Sequence, residues 1–405
     1  MPLFFKMLRS HQLGNKVLHW GLLIGLYGFL MSLLIGRGFK GLSLMICAIS
    51  ALGIIIFNRK WAGLGMQVWL LLASGVLFIV ISALSTENTL AFDIYDVIMW
   101  SMVAAIAVVL APARISYNIS HESVLTMLMA VFVIFHMCMN MWGPEPGDYG
   151  YTGAFSSLHY MAQYAVIVFF LMALLAVINH NFARWVMIFA LVADLILLMQ
   201  TKSRPGYLAL IAGISVLIMQ ISSRYRAMAV SSLVAMLSLI YASGLFGFSS
   251  RIDELVYRFG EEERWTIWRE CLLLLQSSSL LELFLGHGLG QFFLDYQRVS
   301  SFHPQRDFVS PHNFFLELFY SHGLVGLILF TMLYCLWYRS MLSVVASSRS
   351  APQHAVGVFM IGMMTAHFIF GFFTLPFFSI HNLYPLSLIL GASLRYLDVN
   401  RDNAL

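Results

Sequence analysis

The chain predicts an all-α, polytopic membrane protein with about twelve transmembrane helices and one large helical loop on the outer side. Three observations carry this expectation. First, 60% of its 405 residues are hydrophobic and only 10% are charged, with a mean hydropathy of +0.82; a soluble domain keeps about a quarter of its residues charged. Second, apolar runs of about twenty residues, the length that crosses a bilayer, recur along nearly the whole chain. Third, a single long polar stretch, roughly 248–310, interrupts them late. Helices are required because backbone N–H and C=O groups have no water to bind in lipid, and no segment alternates as a barrel strand would.

The first element follows Lys6, Arg9 and Lys16 and begins at Val17. It resembles a secretion signal but lacks a small-residue cleavage site, so it reads as an uncleaved first span. Further apolar windows fall at about 41–57, 64–85, 94–111, 123–142, 160–178, 183–200, 205–222 and 227–247, and after the polar stretch at about 314–338, 355–375 and 380–396. The expected organisation is 1–247 as helices one to nine, 248–311 as the loop with amphipathic helices, and 312–405 as helices ten to twelve. The turn-rich run Gly143–Gly150 reads as a plain outer connector.

Lysine and arginine set the orientation. With the N-terminus inside, inner segments hold thirteen of them and the short outer loops hold four, Arg37, Lys40, Lys202 and Arg204. Both termini are then cytoplasmic and the long loop is external. The net charge of +4 sits in short connections between spans, which is no nucleic-acid signal. Four scattered cysteines, Cys47, Cys138, Cys271 and Cys335, have neither metal-ligand nor disulfide spacing and read as small core residues.

Candidate chemistry gathers at outer helix starts. In Thr201-Lys202-Ser203-Arg204-Pro205-Gly206, Ser203 or Arg204 can cap the next helix, and proline suits its first turn. The positive end of that helix then points outward beside Arg204, an anion site. An arginine holding a lipid headgroup is the plainer reading; the capped start and the other outer arginines favour the anion site. In Glu261–Glu270, a first turn rich in acid and a Trp265/Trp268/Leu272/Leu275 face predict an amphipathic helix on the membrane surface. Arg264 lies at the edge of that face, where a lipid phosphate would sit, although pairing with a neighbouring glutamate would also explain it. Arg269 has the same two readings, with the pairing one stronger.

Pro311-His312-Asn313 opens the next apolar run, with Ser310 and Pro311 as expected cap and first turn. The helix dipole and nearby arginines favour a neutral imidazole at His312, able to accept a proton from a sugar hydroxyl. His19, His121, His136, His180, His322 and His354 read as structural. Gly286-His287-Gly288-Leu289-Gly290 lacks the ending of a phosphate loop and reads as a tight turn between two loop helices. Asp194, inside a span, needs a partner such as Lys202 or Arg204 unless it touches substrate. The chain has no Asp-x-Asp pair, no His/Cys cluster and no nucleotide motif. If a phosphate leaves here, arginines must neutralise it.

These residues carry a resemblance to the bacterial O-antigen ligases, within the superfamily of O-antigen polymerases and ligases. His312-Asn313, nine residues, Gly323, two residues and Gly326 match that family's His-Asn-x9-Gly-x-x-Gly pattern. Ser203-Arg204-Pro205-Gly206 is similar to its Arg-x-Gly signature, Arg264 with Trp268 to its loop arginine, and Gly286–Gly290 to its glycine-rich turn. A Gly-x-Phe-x-Asn-x-Asn stretch of many relatives reads Gly153-Ala154-Phe155-Ser156-Ser157-Leu158-His159 here, with both asparagines replaced.

The resemblance implies a GT-C-like glycosyltransferase of the bacterial inner membrane with a periplasmic active site. Its donor would be an undecaprenyl-pyrophosphate-linked glycan, its acceptor a sugar hydroxyl of lipid A–core, and its chemistry metal-independent and inverting, with no cofactor. His312 would orient or deprotonate the acceptor, and Arg204 and Arg264 would bind the pyrophosphate. Asn313 would orient the histidine or a substrate oxygen, and Lys202, Ser203 and Arg269 would line the substrate. Membrane lipids are the remaining expected partners.

Three other functions compete. A polymerase of the same superfamily needs the same two chemical devices, although the His-Asn-to-Gly spacing favours a ligase. A transporter would place its charges near the midplane and show related halves, and neither pattern is visible. A structural scaffold would have no need of Arg204 and His312 at helix mouths.

Overall fold

The computed structural model describes residue 46 and residues 158–178, 181–257, 262–288, 290–302, 308, 310–347 and 351–374. The chain divides into two compact units, Met1–Ile79 with Asp93–Ser120 and Leu383–Leu405, and Val80–Phe92 with His121–Asn382. Described residues from 158 onward all lie in the second. Among the described residues every regular element is helical. The first five windows, the Gly143–Gly150 connector and the window 380–396 lie outside them, except for Ile46, which is helical.

The second unit runs α1 (Leu158–Ile178), α2 (Asn181–Gln200), α3 (Arg204–Gln220), α4 (Ser223–Ser243), α5 (Phe248–Tyr257), α6 (Glu263–Gln276), α7 (Leu280–Leu285), α8 (Gln291–Val299), α9 (Phe314–Ser347) and α10 (Ala351–Phe373). Five helices among the described residues are long and apolar enough to cross a membrane: Leu158–Ile178, Phe182–Gln200, Ser223–Ser243, Phe314–Ser347 and His354–Phe373. This is a multi-pass membrane protein. Helix α3, at 17 residues, is the short apolar one.

Packing is centred on α1, α3 and α10. Helix α1 buries residues all around its circumference, as expected of a helix enclosed by others. Helices α3 and α10 approach closely through Gly213 and Gly362: a Cβ on Gly213 would lie 2.7 Å from the Gly362 carbonyl oxygen. Small residues permit such contact where lipid supplies no hydrophobic drive. Helix α4 buries nothing within the unit. Cys271 is a buried core residue as expected, with burial and then Glu317 pushing its thiol up to about 12; Cys335 is exposed instead.

The polar stretch folds into α5 to α8 around a core of its own. Ile267, Cys271, Leu275, Phe292, Tyr296, Phe308 and Tyr320 pack together, so α6, α8 and the start of α9 share one cluster. Glu270 ties it internally, accepting from the Tyr296 hydroxyl at 2.7 Å and the Ser301 N–H at 3.0 Å. The inward face of α6 is therefore Ile267/Cys271/Leu275. Of the expected Trp265/Trp268/Leu272/Leu275 face, Leu275 alone is buried, while Trp265 and Leu272 are exposed. The helix is apolar on two sides, and the four-residue period of the smaller side chains decides which side packs.

Helix α9 is broken rather than continuous. Gly323 has φ 63° and ψ −167°. The turn after α7 inserts at this break: His287 N–H donates to the Tyr320 carbonyl at 2.8 Å and Gly288 N–H to that of Ser321 at 3.0 Å. These carbonyls would otherwise be left without partners at the break. The two backbones meet through glycines, since a Cβ on Gly323 would lie 2.3 Å from the Phe284 carbonyl and one on Gly286 2.3 Å from that of Ser321. The His287 ring stacks on Tyr320 at 4.4 Å, and the Tyr320 hydroxyl donates to Asp295 at 2.7 Å. Gly286, His287 and Gly288 thus lie between two loop helices, as expected, and Gly323 is the position that receives them.

Candidate functional site

Four segments converge on one cavity of about 260 Å³, lined by His159, Arg204, Glu262, Glu263, Arg264, Ile267, Phe308 and His312. Each segment delivers its side chain by a local device.

Arg204 is the first residue of α3. Ser203 caps this helix, its hydroxyl accepting from Gly206 N–H at 3.4 Å, and Pro205 sits in the first turn. The preceding turn is fixed by the buried Thr201, whose hydroxyl donates to the Leu198 carbonyl at 2.7 Å, and by the Tyr207 hydroxyl donating to Met199 at the same distance. Ser203 is buried and also meets His159 Nδ1 at 3.3 Å. Lys202 has left-handed backbone, φ 53°, and does not line the cavity.

Arg264 lies in the first turn of α6. Burial presses its pKa below the ordinary value; Glu262 opposes this, Arg204 adds to it and Glu263 opposes it. A guanidinium nonetheless stays charged. Glu262 pairs with Arg204, and its second oxygen lies 4.0 Å from Arg264. Both arginines are thus joined through one carboxylate. Arg269, five residues further along α6, projects to another side, is exposed and stands outside the cavity.

His312 precedes α9. The expected cap at Ser310 and Pro311 falls three residues too early: Asn313 is the cap, its Oδ1 accepting from Phe315 N–H at 3.0 Å and Leu316 N–H at 3.2 Å. Its carbonyl oxygen is committed to the backbone, which gives Asn313 a structural task beside any contact with substrate. His312 itself has φ 52°, an arrangement costing about 1–2 kcal/mol in a residue with a Cβ. Three contacts hold it there. The Trp268 indole donates to the Pro311 carbonyl at 2.9 Å, the Phe308 ring meets the imidazole edge-on at 5.6 Å, and His312 Nδ1 lies 3.0 Å from the Thr374 carbonyl. A carbonyl only accepts, so Nδ1 carries a proton and Nε2 becomes the basic nitrogen of the neutral ring.

The structure thus brings together Arg204, Arg264 and His312, with Ser203 and Asn313 behind them as caps, and leaves Lys202 and Arg269 outside the cavity. Asp194 is buried with no hydrogen-bond partner for either oxygen among the described residues, so the expected pair with Lys202 or Arg204 does not form. Sequence reasoning missed His159 and Glu262. His159 stands at the start of an apolar run, the setting that marked Arg204 and His312. Glu262 is hidden within an acidic run that a helix start explains.

The cavity thus gathers two arginines joined through Glu262 and two imidazoles where α1, α3, α6 and the stretch before α9 meet, within a multi-pass membrane protein. The O-antigen ligase family model matches residues 189–331, so this stretch is similar to that family. The matched stretch contains Arg204, Arg264, His312 and Gly323 but not His159. No curated protein sequence matches the chain.

Proposed function

We propose that the protein is an O-antigen ligase, transferring a glycan from undecaprenyl pyrophosphate to a sugar hydroxyl of lipid A–core at the periplasmic face of the inner membrane. The observation that carries this is the meeting of Arg204, Arg264 and His312, from three separate segments, at one cavity.

In this reading the donor pyrophosphate lies against Arg204 and Arg264, at the positive ends of α3 and α6. The acceptor hydroxyl oxygen attacks the anomeric carbon from the face opposite the pyrophosphate. As the new C–O bond forms, the bond to the phosphate oxygen breaks and inverts the centre. His312 Nε2 takes the hydroxyl proton, and the electron pair leaves with undecaprenyl pyrophosphate, whose charge the two arginines neutralise. Thr374 holds the ring in the tautomer this requires. His159 adds a second imidazole to the same wall. The termini are cytoplasmic, the loop of α5 to α8 is periplasmic, and Trp265 and Leu272 rest against the outer leaflet.

The test is transfer by purified full-length protein, with lipid-pyrophosphate-linked glycan, lipid A–core and EDTA throughout. Glycan-capped lipopolysaccharide is expected from the wild type, with His312→Ala and Arg204→Ala each slower by about 10²–10⁴-fold. Lengthening of the lipid-linked glycan in place of capping would make the protein a polymerase. Full activity in both variants would sink the site.

A further inference from the structure

Glu262 occupies an unusual place. It is the N-cap residue of α6, yet its side chain makes no cap bond. Its carboxylate turns away from the positive end of its own helix and lies between Arg204 and Arg264, one oxygen toward each. All three side chains line the cavity and remain about one-fifth exposed to it, at 20%, 18% and 21%.

Charge counting shows what this arrangement does. Two guanidinium groups match the roughly two negative charges of a diphosphate diester. With Glu262 between them that match is lost by one charge. The carboxylate has somewhere to go: the unoccupied cap of α6, where backbone N–H groups and the helix dipole favour an anion.

We propose that Glu262 is the resident anion of the donor site, holding Arg204 and Arg264 together until a diphosphate displaces it toward the cap of α6. This rests on the reading of the two arginines as the pyrophosphate site. Glu262 then tunes donor affinity downward and, by returning, helps expel the lipid diphosphate, which leaves with more charge than the bound donor carried.

The experiment measures binding of radiolabelled inorganic pyrophosphate to full-length protein in detergent, for wild type, Glu262→Gln, Glu262→Ala, Glu263→Gln and Arg204→Ala. Removing the Glu262 charge is expected to tighten binding about tenfold or more, and to strengthen inhibition of transfer by pyrophosphate in parallel. Glu263→Gln, which removes a carboxylate that lines the same cavity but acts on Arg264 less strongly than Glu262 does, is expected to gain less. If Glu262→Gln does not fold, Glu262→Ala carries the same expectation. Binding equal to or weaker than wild type without the Glu262 carboxylate overturns the inference. Loss of binding in Arg204→Ala with no gain at Glu262 sinks the inference alone, whereas wild-type binding in Arg204→Ala overturns the pyrophosphate site beneath it.

Discussion

The starts of α3 and α9 are built alike and used differently. Each begins with a residue of left-handed backbone, Lys202 or His312, the two non-glycine residues of that kind among those described. Each then has a polar cap, Ser203 or Asn313, and then the helix. At α3 the cavity-lining side chain follows the cap; at α9 it precedes it. Arginine reaches the cavity from inside a helix on a long stem. Histidine is short, so the backbone must turn to present it, and the strained residue is itself the one that lines the cavity. Strain at Lys202 serves only the turn, whereas strain at His312 aims a ring.

The largest effect that can break this comparison comes from the support beneath α9. Gly323→Ala places a Cβ against the Phe284 carbonyl at a left-handed position. It is expected to cost about 3 kcal/mol or more and to undock the turn after α7. Thermal unfolding of the detergent-solubilised protein reads this; a wild-type midpoint would mean that α9 does not need its break.

The caps come next. Ser203 satisfies one backbone N–H and Asn313 two, so Asn313→Ala should cost up to about 2 kcal/mol and Ser203→Ala about 1 kcal/mol. Equal or reversed shifts in unfolding midpoint would show that the two starts are not held alike. Asn313→Ser, which keeps a capping oxygen, separates roles further. Retained stability with lost transfer would add a substrate contact to the cap.

The smallest effect is Lys202→Gly. It relieves left-handed strain and is expected to stabilise by about 1 kcal/mol at most, with transfer within about twofold of wild type. A larger loss of transfer would bring the Lys202 side chain into the substrate path. His312→Gly relieves the same kind of strain and should abolish transfer.

The sequence made the two helix starts visible to different degrees. Arg204 stands out because Ser203 and Pro205 are strong local signals of a helix start, and they act here as such. His312 stands out by motif, but its cap was placed too early because Ser310 and Pro311 mimic one. The described apolar windows are helices because lipid leaves the backbone no other choice. The break at Gly323 is not legible, because residues on both sides are equally apolar and the partner that receives the freed carbonyls lies about thirty-five residues away. Helix α6 misleads by having two apolar sides, which also hid the outward direction of Arg269. His159 and Glu262 depend on meetings between distant segments.

The hydrogen bond from His312 to Thr374 has a consequence in time. Thr374 follows every residue that lines the cavity, so a ribosome delivers it after all of them. Until α10 has been made and the Thr374 carbonyl just beyond it has arrived, the imidazole lacks the acceptor that fixes its tautomer. A nascent chain that already carries both arginines and the histidine therefore still lacks the contact that fixes the ring, and gains it only when the residue after the last described helix is made.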